Sequence, residues 1–396
     1  MSALTVKVVS GIQKVPREAW NALLGPLDPP VLRWEWLDAL EASGSTTKAR
    51  GWEAAHFTLW RGDTLVGAAP AWLKHHSMGE YVYDFAWANA ARSFGIDYYP
   101  KLLVGVPLSP LTARRFLVAP TEDVAVIRKA LLDAVLELGR KEKLSSVHVI
   151  FPPEAEAAAL SSLGLFRRIG MQYHWVNPGY RTYADYLARF DSKRRHQLKH
   201  ERGAAAKQGI ALRTIRGDEV GKEHALLAYR FYENTVEKNG WGQVQLNQDF
   251  FLRAFASLNG SVELVVAERA GKTIAGAFNL STTQRLFGRY WGCFEEVPFL
   301  HFHVCLYHSV DDCIQRGLKV FEPGAGGEHK ISRGFVPTAI HSAHHVYSAP
   351  FKAAVVNACE RERVQVNQVI LEAEEIAGLK PWVEGAPLAA SADLKK

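Results

Sequence analysis

Residues 57–85, FTLWRGDTLVGAAPAWLKHHSMGEYVYDF, lie over residues 266–294, VAERAGKTIAGAFNLSTTQRLFGRYWGCF, at a constant offset of 209 and without a gap. Gly62, Thr64, Gly67, Ala68, Gly79, Tyr81 and Phe85 recur as Gly271, Thr273, Gly276, Ala277, Gly288, Tyr290 and Phe294. Both copies read as strand, tight turn at RGD or AGK, strand, loop and strand, because β-forming runs are broken there by turn formers. A repeat at this distance is a duplicated domain, since solenoid units run to only about 20–50 residues. A chain of 396 residues is also too long for one ordinary hydrophobic core.

Helices follow each hairpin. Val124, Ile127, Leu131, Val135 and Leu138 keep helical spacing ahead of SVHVIF (146–151), which reads as a buried strand. A short helix from Glu154 to Leu163 stops at Gly164. In the second half, His303 to Arg316 is helical, Gly317 ends it and KVFEP is the next strand. PVLRWEWLDALEASG turns Leu32, Trp36, Leu37 and Leu40 to one face. The expectation is an α/β chain of two tandem domains related by duplication, each a mixed central sheet flanked by helices. The domains are placed at residues 1–180 and 181–380, with a loose tail at 381–396.

Charge gathers where the halves meet. Residues 181–216 hold ten Lys or Arg against three acids, a net of +7, while the whole chain is +6. Within them FDSKRRHQLKHERGAAAKQG (190–209) reads as a helix capped by Asp191 or Ser192 and stopped by Gly209. Lys193, Arg194 and Arg195 then fill its first turn, where each cation opposes the helix dipole by about 0.3–1 kcal/mol. Arg195, Lys199 and Arg202 continue as one stripe, and Glu201 is the only acid after Asp191. Such a helix suits an external anion with several phosphates, as a tRNA acceptor end or a coenzyme carries. A solvated linker helix is the alternative.

Two further constellations carry chemistry. DFAWANAARSFGIDYYPKL brings Asp84, Trp87, Tyr98, Tyr99 and Lys101 together, read as a loop after a core strand. An acid, a lysine and aromatics suit a polar substrate bearing both amine and carboxylate, although the rings could instead fill the core. FEPGAGGEHKISRGF sets Glu322 at a strand end, then a glycine-rich turn, then His329, Lys330 and Arg333. Glycines let backbone amides approach a ligand closely. For acyl transfer, Glu322 or His329 would be the base, and Lys330 and Arg333 would bind charge. As an exposed strand-end acid, Glu322 would support little packing, and Tyr290 of the repeat is counted with the substrate-binding residues.

Other classes are disfavoured. No run of about 18 apolar residues could span a bilayer, and MSALTVKVVSG lacks the regions of a secretory signal. Cys293, Cys305, Cys313 and Cys359 show neither CxxC nor zinc-ligand spacing, which fits reduced cytoplasmic thiols. His301, Cys305 and His308 share a helical face without HExxH, so no metal is expected. GxxxxGK[ST] and GxSxG are both absent.

Taken together, these stretches resemble the Fem family. The basic KRRHQLKHERGAAAKQGI enters the second half, and GKTIAGAFNLSTTQRLFGRYWGCFEEVPFLHFHVCLYHSVDDCIQRGLKVFEPG follows the family pattern, with Glu322 where many members have Asp. YVYDFAWANAARSFGIDYYPKLLVGVPLSP and FEPGAGGEHKISRGF are similar to a FemAB-like bacterial subgroup described as peptidoglycan biosynthesis or recognition proteins. The resemblance spans residues 15–380. It implies two GNAT-fold domains and transfer of an acyl group to an amine, such as an amino acid, peptide or cell-wall precursor. The co-substrate would be aminoacyl-tRNA or acyl-CoA, with no tightly bound cofactor. Acyl-CoA-dependent GNAT enzymes cradle pyrophosphate with an R/Q-x-x-G-x-G/A loop that opens a helix. The nearest stretch here, RRIGMQ (167–172), ends in Gln172 and precedes a strand-like run, which favours aminoacyl-tRNA. An acyl-CoA-dependent N-acyltransferase remains one alternative. The other is a non-catalytic module that binds peptidoglycan precursors or RNA.

Overall fold

The computed structural model describes residues 3–239 and 244–382. In chain order the elements are β1 (Leu4–Val9), α1 (Arg17–Asn21), α2 (Trp34–Ala42), β2 (Trp52–Ala54), β3 (His56–Arg61), β4 (Thr64–Ala69) and β5 (Ala71–Lys74). Then come α3 (Phe85–Ser93), β6 (Lys101–Val104), β7 (Leu117–Val118), α4 (Val124–Lys141), β8 (Ser146–Ile150), α5 (Glu154–Ser162) and β9 (Phe166–Val176). The basic segment follows with α6 (Tyr183–Ala188), α7 (Ser192–Lys207) and β10 (Ile210–Arg216). The rest is α8 (Lys222–Asn239), α9 (Gln248–Ser257), β11 (Val262–Arg269), β12 (Lys272–Ser281), β13 (Arg285–Cys293), α10 (Leu300–Phe302), α11 (His308–Arg316), β14 (Val320–Glu322), β15 (Val336–Val346) and α12 (Ala349–Ala377). A π-helical turn, His303–Tyr307, joins α10 to α11.

The chain forms two compact units, and they are not consecutive halves. The first is Met1–Met171 with Gln245–Leu258 and Ala339–Gln368, and the second is Gln172–Val244 with Asn259–Thr338 and Val369–Lys396. The expected cut at 180/181 therefore moves to 171/172, and the chain returns to the first unit twice. Packing explains the first return: Phe250 of α9 meets Trp36 of α2 edge-on at 5.0 Å, and the Asn247 side chain donates to Ser43 O at 2.6 Å. The tail expected from 381 lies, from residue 383 on, outside the described residues.

In the first unit β1, β3, β4 and β7 form one antiparallel sheet. In a second sheet β2 pairs with β5, β5 with β6, β6 in parallel with β8, and β8 with Ser342–Val346 of β15. Helix α4 forms as its spacing predicts, with Asp123 capping Ala125 and Val126. It buries Ile127, Leu131 and Val135 against Leu102, Val104, Val147 and Val149. In the second unit β10, β11, β12 and β13 are antiparallel, β14 joins β13 in parallel, and Trp175 and Val176 of β9 close on β14. Its core sets Val265, Ala267, Ile274, Ala275 and Ala277 against Leu300, Val304 and Ala205.

The sequence repeat is structural over its hairpin. β3–β4 and β11–β12 are both tight antiparallel pairs with a bulge near the turn. Counted from the turn, the third rung holds Gly67 opposite Leu59 in one and Ala275 opposite Ala267 in the other. Gly67 and Gly276 thus sit one residue out of step and face opposite sides of their strands. Each still makes room for a helix: a Cβ on Gly67 would meet Ile127 of α4 at 2.5 Å, and one on Gly276 would meet Phe231 of α8 at 2.3 Å. Beyond the hairpin the copies part. β12 continues into β13, whereas after Pro70 the chain joins the other sheet as β5. The third strand expected around GEYVYDF does not form, because Glu80 and Asp84 both turn in to Lys101.

Candidate functional site

Each unit holds one dense cluster of the residues singled out above. In the first, Lys101 opens β6 with no exposed surface. Its ammonium donates to Glu80 Oε2 at 2.8 Å and to Ser77 Oγ at 3.3 Å, and it pairs with Asp84. Asp84 precedes α3 and also accepts from Ser77 and, at 2.5 Å, from Tyr98 Oη. Ser77 Oγ bonds Tyr99 Oη at 2.7 Å. Beside them His148 of β8 and His344 of β15 share an Nδ1–Nδ1 hydrogen bond of 2.9 Å. Trp87 of α3 lies 5.8 Å from the first ring and 4.9 Å from the second.

Burial and charge act against each other in this cluster. Burial pushes the Glu80 carboxyl up to about 7 against the pull of Lys101. Burial also raises Asp84, but Lys101 and His148 outweigh it and hold that carboxyl at about 2. Burial takes Lys74 down to about 7 and His148 to about 3. The structure therefore brings Asp84, Trp87, Tyr99 and Lys101 together, but turned inward and bonded to one another rather than on an open loop. Trp87 lies in a helix, and the partners Glu80, His148 and His344 were not legible from spacing.

The second cluster gathers where two parallel strands part. β13 and β14 pair only from Arg285–Val320 to Phe287–Glu322, and β13 then runs on to Cys293. Gly288 lets the chain at Pro323 approach, since a Cβ there would stand 3.1 Å from that backbone. Gly324, Gly326 and Gly327 follow with φ of +94°, +74° and +92°, a region open to glycine without strain. They lead into a short 3-10 helix, Glu328–Arg333. Lys330 on it is 5% exposed, and its amine donates to Gly324 O at 2.9 Å and Gly326 O at 2.6 Å. Burial lowers this amine to about 8. His329 is exposed, with its ring 5.2 Å from Phe302 and 5.8 Å from His301, and His301 stands 4.8 Å from Trp291. Tyr290 is half-buried, 4.7 Å from the Tyr232 ring, and accepts from Arg289 at 3.0 Å.

Two expectations change here. Glu322 is 1% exposed and paired with Arg285, so it is an interior ion pair rather than an exposed strand-end acid. Arg333 is 5% exposed and spends its guanidinium on Glu201 at 2.6 Å and Tyr307 Oη at 2.8 Å, stacked 3.5 Å over Phe302. Its charge is held inside and not offered to a substrate.

Helix α7 lies wholly in the second unit, and Asp191 caps it by accepting from Arg194 N at 2.7 Å. Leu198, Glu201 and Ala205 form its buried face. Lys193 and Lys199 are exposed and Arg195 is half-buried, and none is in an ion pair among the described residues. Among the described residues the Arg194 side chain reaches only Gln197, at 3.3 Å. Arg202 leaves the stripe, paired with Asp311 and lying 4.0 Å over the Tyr183 ring. The solitary acid Glu201, spaced with Leu198 and Ala205, was the signal for the inward face.

No pyrophosphate cradle opens a helix at RRIGMQ, which lies inside β9. The turn into α10, FEEVPFL, instead presents Glu295, paired with Arg269, and Glu296, 3.7 Å from Lys238. Among the described residues no helix is long and apolar enough to cross a membrane, and no group of three or more His, Cys, Asp or Glu side chains could hold a metal.

The chain is a mixed α/β fold of two compact units. The FemAB-like family, described as peptidoglycan biosynthesis/recognition, matches residues 11–381, and the chain belongs to it. No curated protein matches. Among solved structures, the crystal structure of FemX is 13% identical, with 86% of this chain and 98% of that one covered at a TM-score of 0.53, a likeness of fold. A tandem GNAT protein from the clavulanic acid biosynthesis pathway is 12% identical over 87% and 99% of the two chains, at a TM-score of 0.44. L-PGS from Bacillus licheniformis is 11% identical over 84% and 97%, at 0.48.

Proposed function

We propose that this chain is a Fem-like N-acyltransferase, with its reacting site at Lys330 and its donor an aminoacyl ester on RNA. The observation that carries the reading is a cationic helix, α7, bonded through Glu201 to the same short helix that holds the Lys330 amine. When neutral, that amine uses its two N–H groups on Gly324 O and Gly326 O, which leaves a lone pair for a proton. A group titrating at about 8 is well matched to general-base work near neutral pH.

The step is direct. The acceptor nitrogen attacks the ester carbonyl, the N–C bond forms, and the C–O bond to the RNA hydroxyl breaks. Lys330 takes the proton released by the attacking amine and returns it to the departing oxygen. Glu295 and Glu296 at the opening of α10 weigh against a coenzyme pyrophosphate there. The acceptor would be an amino acid, peptide or cell-wall precursor, and the family description favours the last.

The test is titration with aminoacyl-tRNA and with acyl-CoA, followed by turnover on amine acceptors. Replacing Lys193, Arg194 and Arg195 together by Gln should weaken tRNA binding and lower the slope of log K against log salt by about 0.7–0.9 per lost phosphate contact. An unchanged slope with unchanged activity would sink the RNA donor and leave α7 a solvated surface. Saturable acyl-CoA turnover without tRNA would move the reading to the coenzyme donor.

A further inference from the structure

The Lys330 helix is poorly able to hold its own shape. It spans six residues of 3-10 geometry, with Gly327 before it and Gly334 after it at φ of +92° and +73°. So short a 3-10 segment, flanked by glycines, needs outside fastening. Arg333 carries it, through three bonds that leave the segment and one within it. Its Nη2 donates to Glu201 at 2.6 Å, its Nε to Tyr307 Oη at 2.8 Å, and its Nη1 to His329 O at 2.7 Å. Tyr186 donates to the Arg333 carbonyl oxygen. His329 is the residue before Lys330, so the guanidinium grips the backbone beside the reacting amine.

The partners come from elements that otherwise differ in role. Glu201 lies on the inner face of α7, whose outer face is cationic. Tyr307 ends the π-helical turn and donates to Glu201, while His303, which begins that turn, bonds Glu201 O at 2.6 Å. Widened helical turns of this kind are kept mostly where a site needs them. A nearly fully buried ion pair is also an expensive way to achieve cohesion alone, since apolar residues of similar volume serve as well or better.

We infer that Arg333 is a positioning residue: clasped by Glu201 and Tyr307, it fixes the Lys330 amine relative to α7, so that an anion held on that helix is in register with the reacting nitrogen. The inference rests on the reading of Lys330 as the group that takes the proton.

The test uses the full chain and Tyr307→Phe, which removes one hydroxyl, with Arg333→Lys as a second variant. Acetic anhydride labelling of Lys330, read by mass spectrometry across pH, reports the amine without aminoacyl-tRNA and without turnover. In the parent the midpoint should fall near 8. In both variants the loosened helix should let water reach the amine and move the midpoint up by about one unit or more. With aminoacyl-tRNA as the donor, kcat should fall by about 10²-fold while its KM holds, as expected for a misplaced catalytic group. A folded Tyr307→Phe protein with a lower Tm but an unchanged Lys330 profile would overturn the inference and make the clasp a structural link only. Failure of the reaction reading looks different: no amine is acylated by the parent chain, while the labelling profiles still respond to the variants.

Discussion

Lys101→Met would keep most of the volume at the start of β6 while removing the ammonium on which Glu80, Asp84 and Ser77 converge. Asp84 held at about 2 instead of 3.8 corresponds to about 2 kcal/mol of stability at neutral pH. The variant loses that and leaves buried carboxylates without a cation, so the whole cost should be about 3–5 kcal/mol. The pH dependence gives a second, sharper signature. A carboxyl depressed below its unfolded value, as Asp84 is, stabilises the fold above that value, and the contribution is lost as pH falls toward 2. A carboxyl raised above its unfolded value, as Glu80 is, costs nothing in acid and destabilises as pH rises from 4.5 through about 7. Without Lys101 both groups behave in the second way, so the deficit of the variant should shrink as pH is lowered from about 7 to about 4.5. Urea unfolding followed by tryptophan fluorescence at the two pH values measures it. Adding Glu80→Gln and Asp84→Asn should restore more than half of the loss. A deficit below about 1 kcal/mol at both pH values, the range of exposed pairs, would mean that the carboxylates are solvated and that Lys101 is open to a ligand after all.

Gly276→Ala should cost about 1–3 kcal/mol in thermal unfolding, because its Cβ would stand 2.3 Å from Phe231 and 2.5 Å from the Val265 carbonyl oxygen; an unchanged Tm would contradict that close approach. Glu322→Gln should destabilise by about 1–3 kcal/mol through the loss of charge opposite Arg285, and lost turnover at full stability would instead return Glu322 to the chemistry. Lys330→Gln should lower kcat by about 10²–10⁴-fold. In the parent, activity should rise as pH passes through about 8, since a base works deprotonated, and a flat profile would remove Lys330 from that role.

Local order was legible in the sequence. The helical spacing of Val124 to Leu138, the Asp191 cap, the stops at Gly164, Gly209 and Gly317, and the paired hairpins all follow from residues within a few positions of one another. These features depend on backbone preference and on the period of apolar side chains, which a linear string displays directly. The cationic outer face of α7 was legible for the same reason.

Tertiary structure decided which way the charged groups point. Lys101 lies 17 residues from Asp84 and 21 from Glu80, and Arg333 lies 132 from Glu201. Spacing on a strand or helix says nothing about partners so distant, and an acid beside a lysine reads alike whether both face solvent or each other. Burial settled the matter, because a charge removed from water must find its counterpart or lose its proton. Packing likewise sent β5 away from its hairpin and returned residues 245–258 to the first unit. The sequence determined the elements and where charge collects. Which charges are consumed inside the fold, and which amine is left with an altered proton affinity, depended on desolvation, and that exists only once the chain has folded.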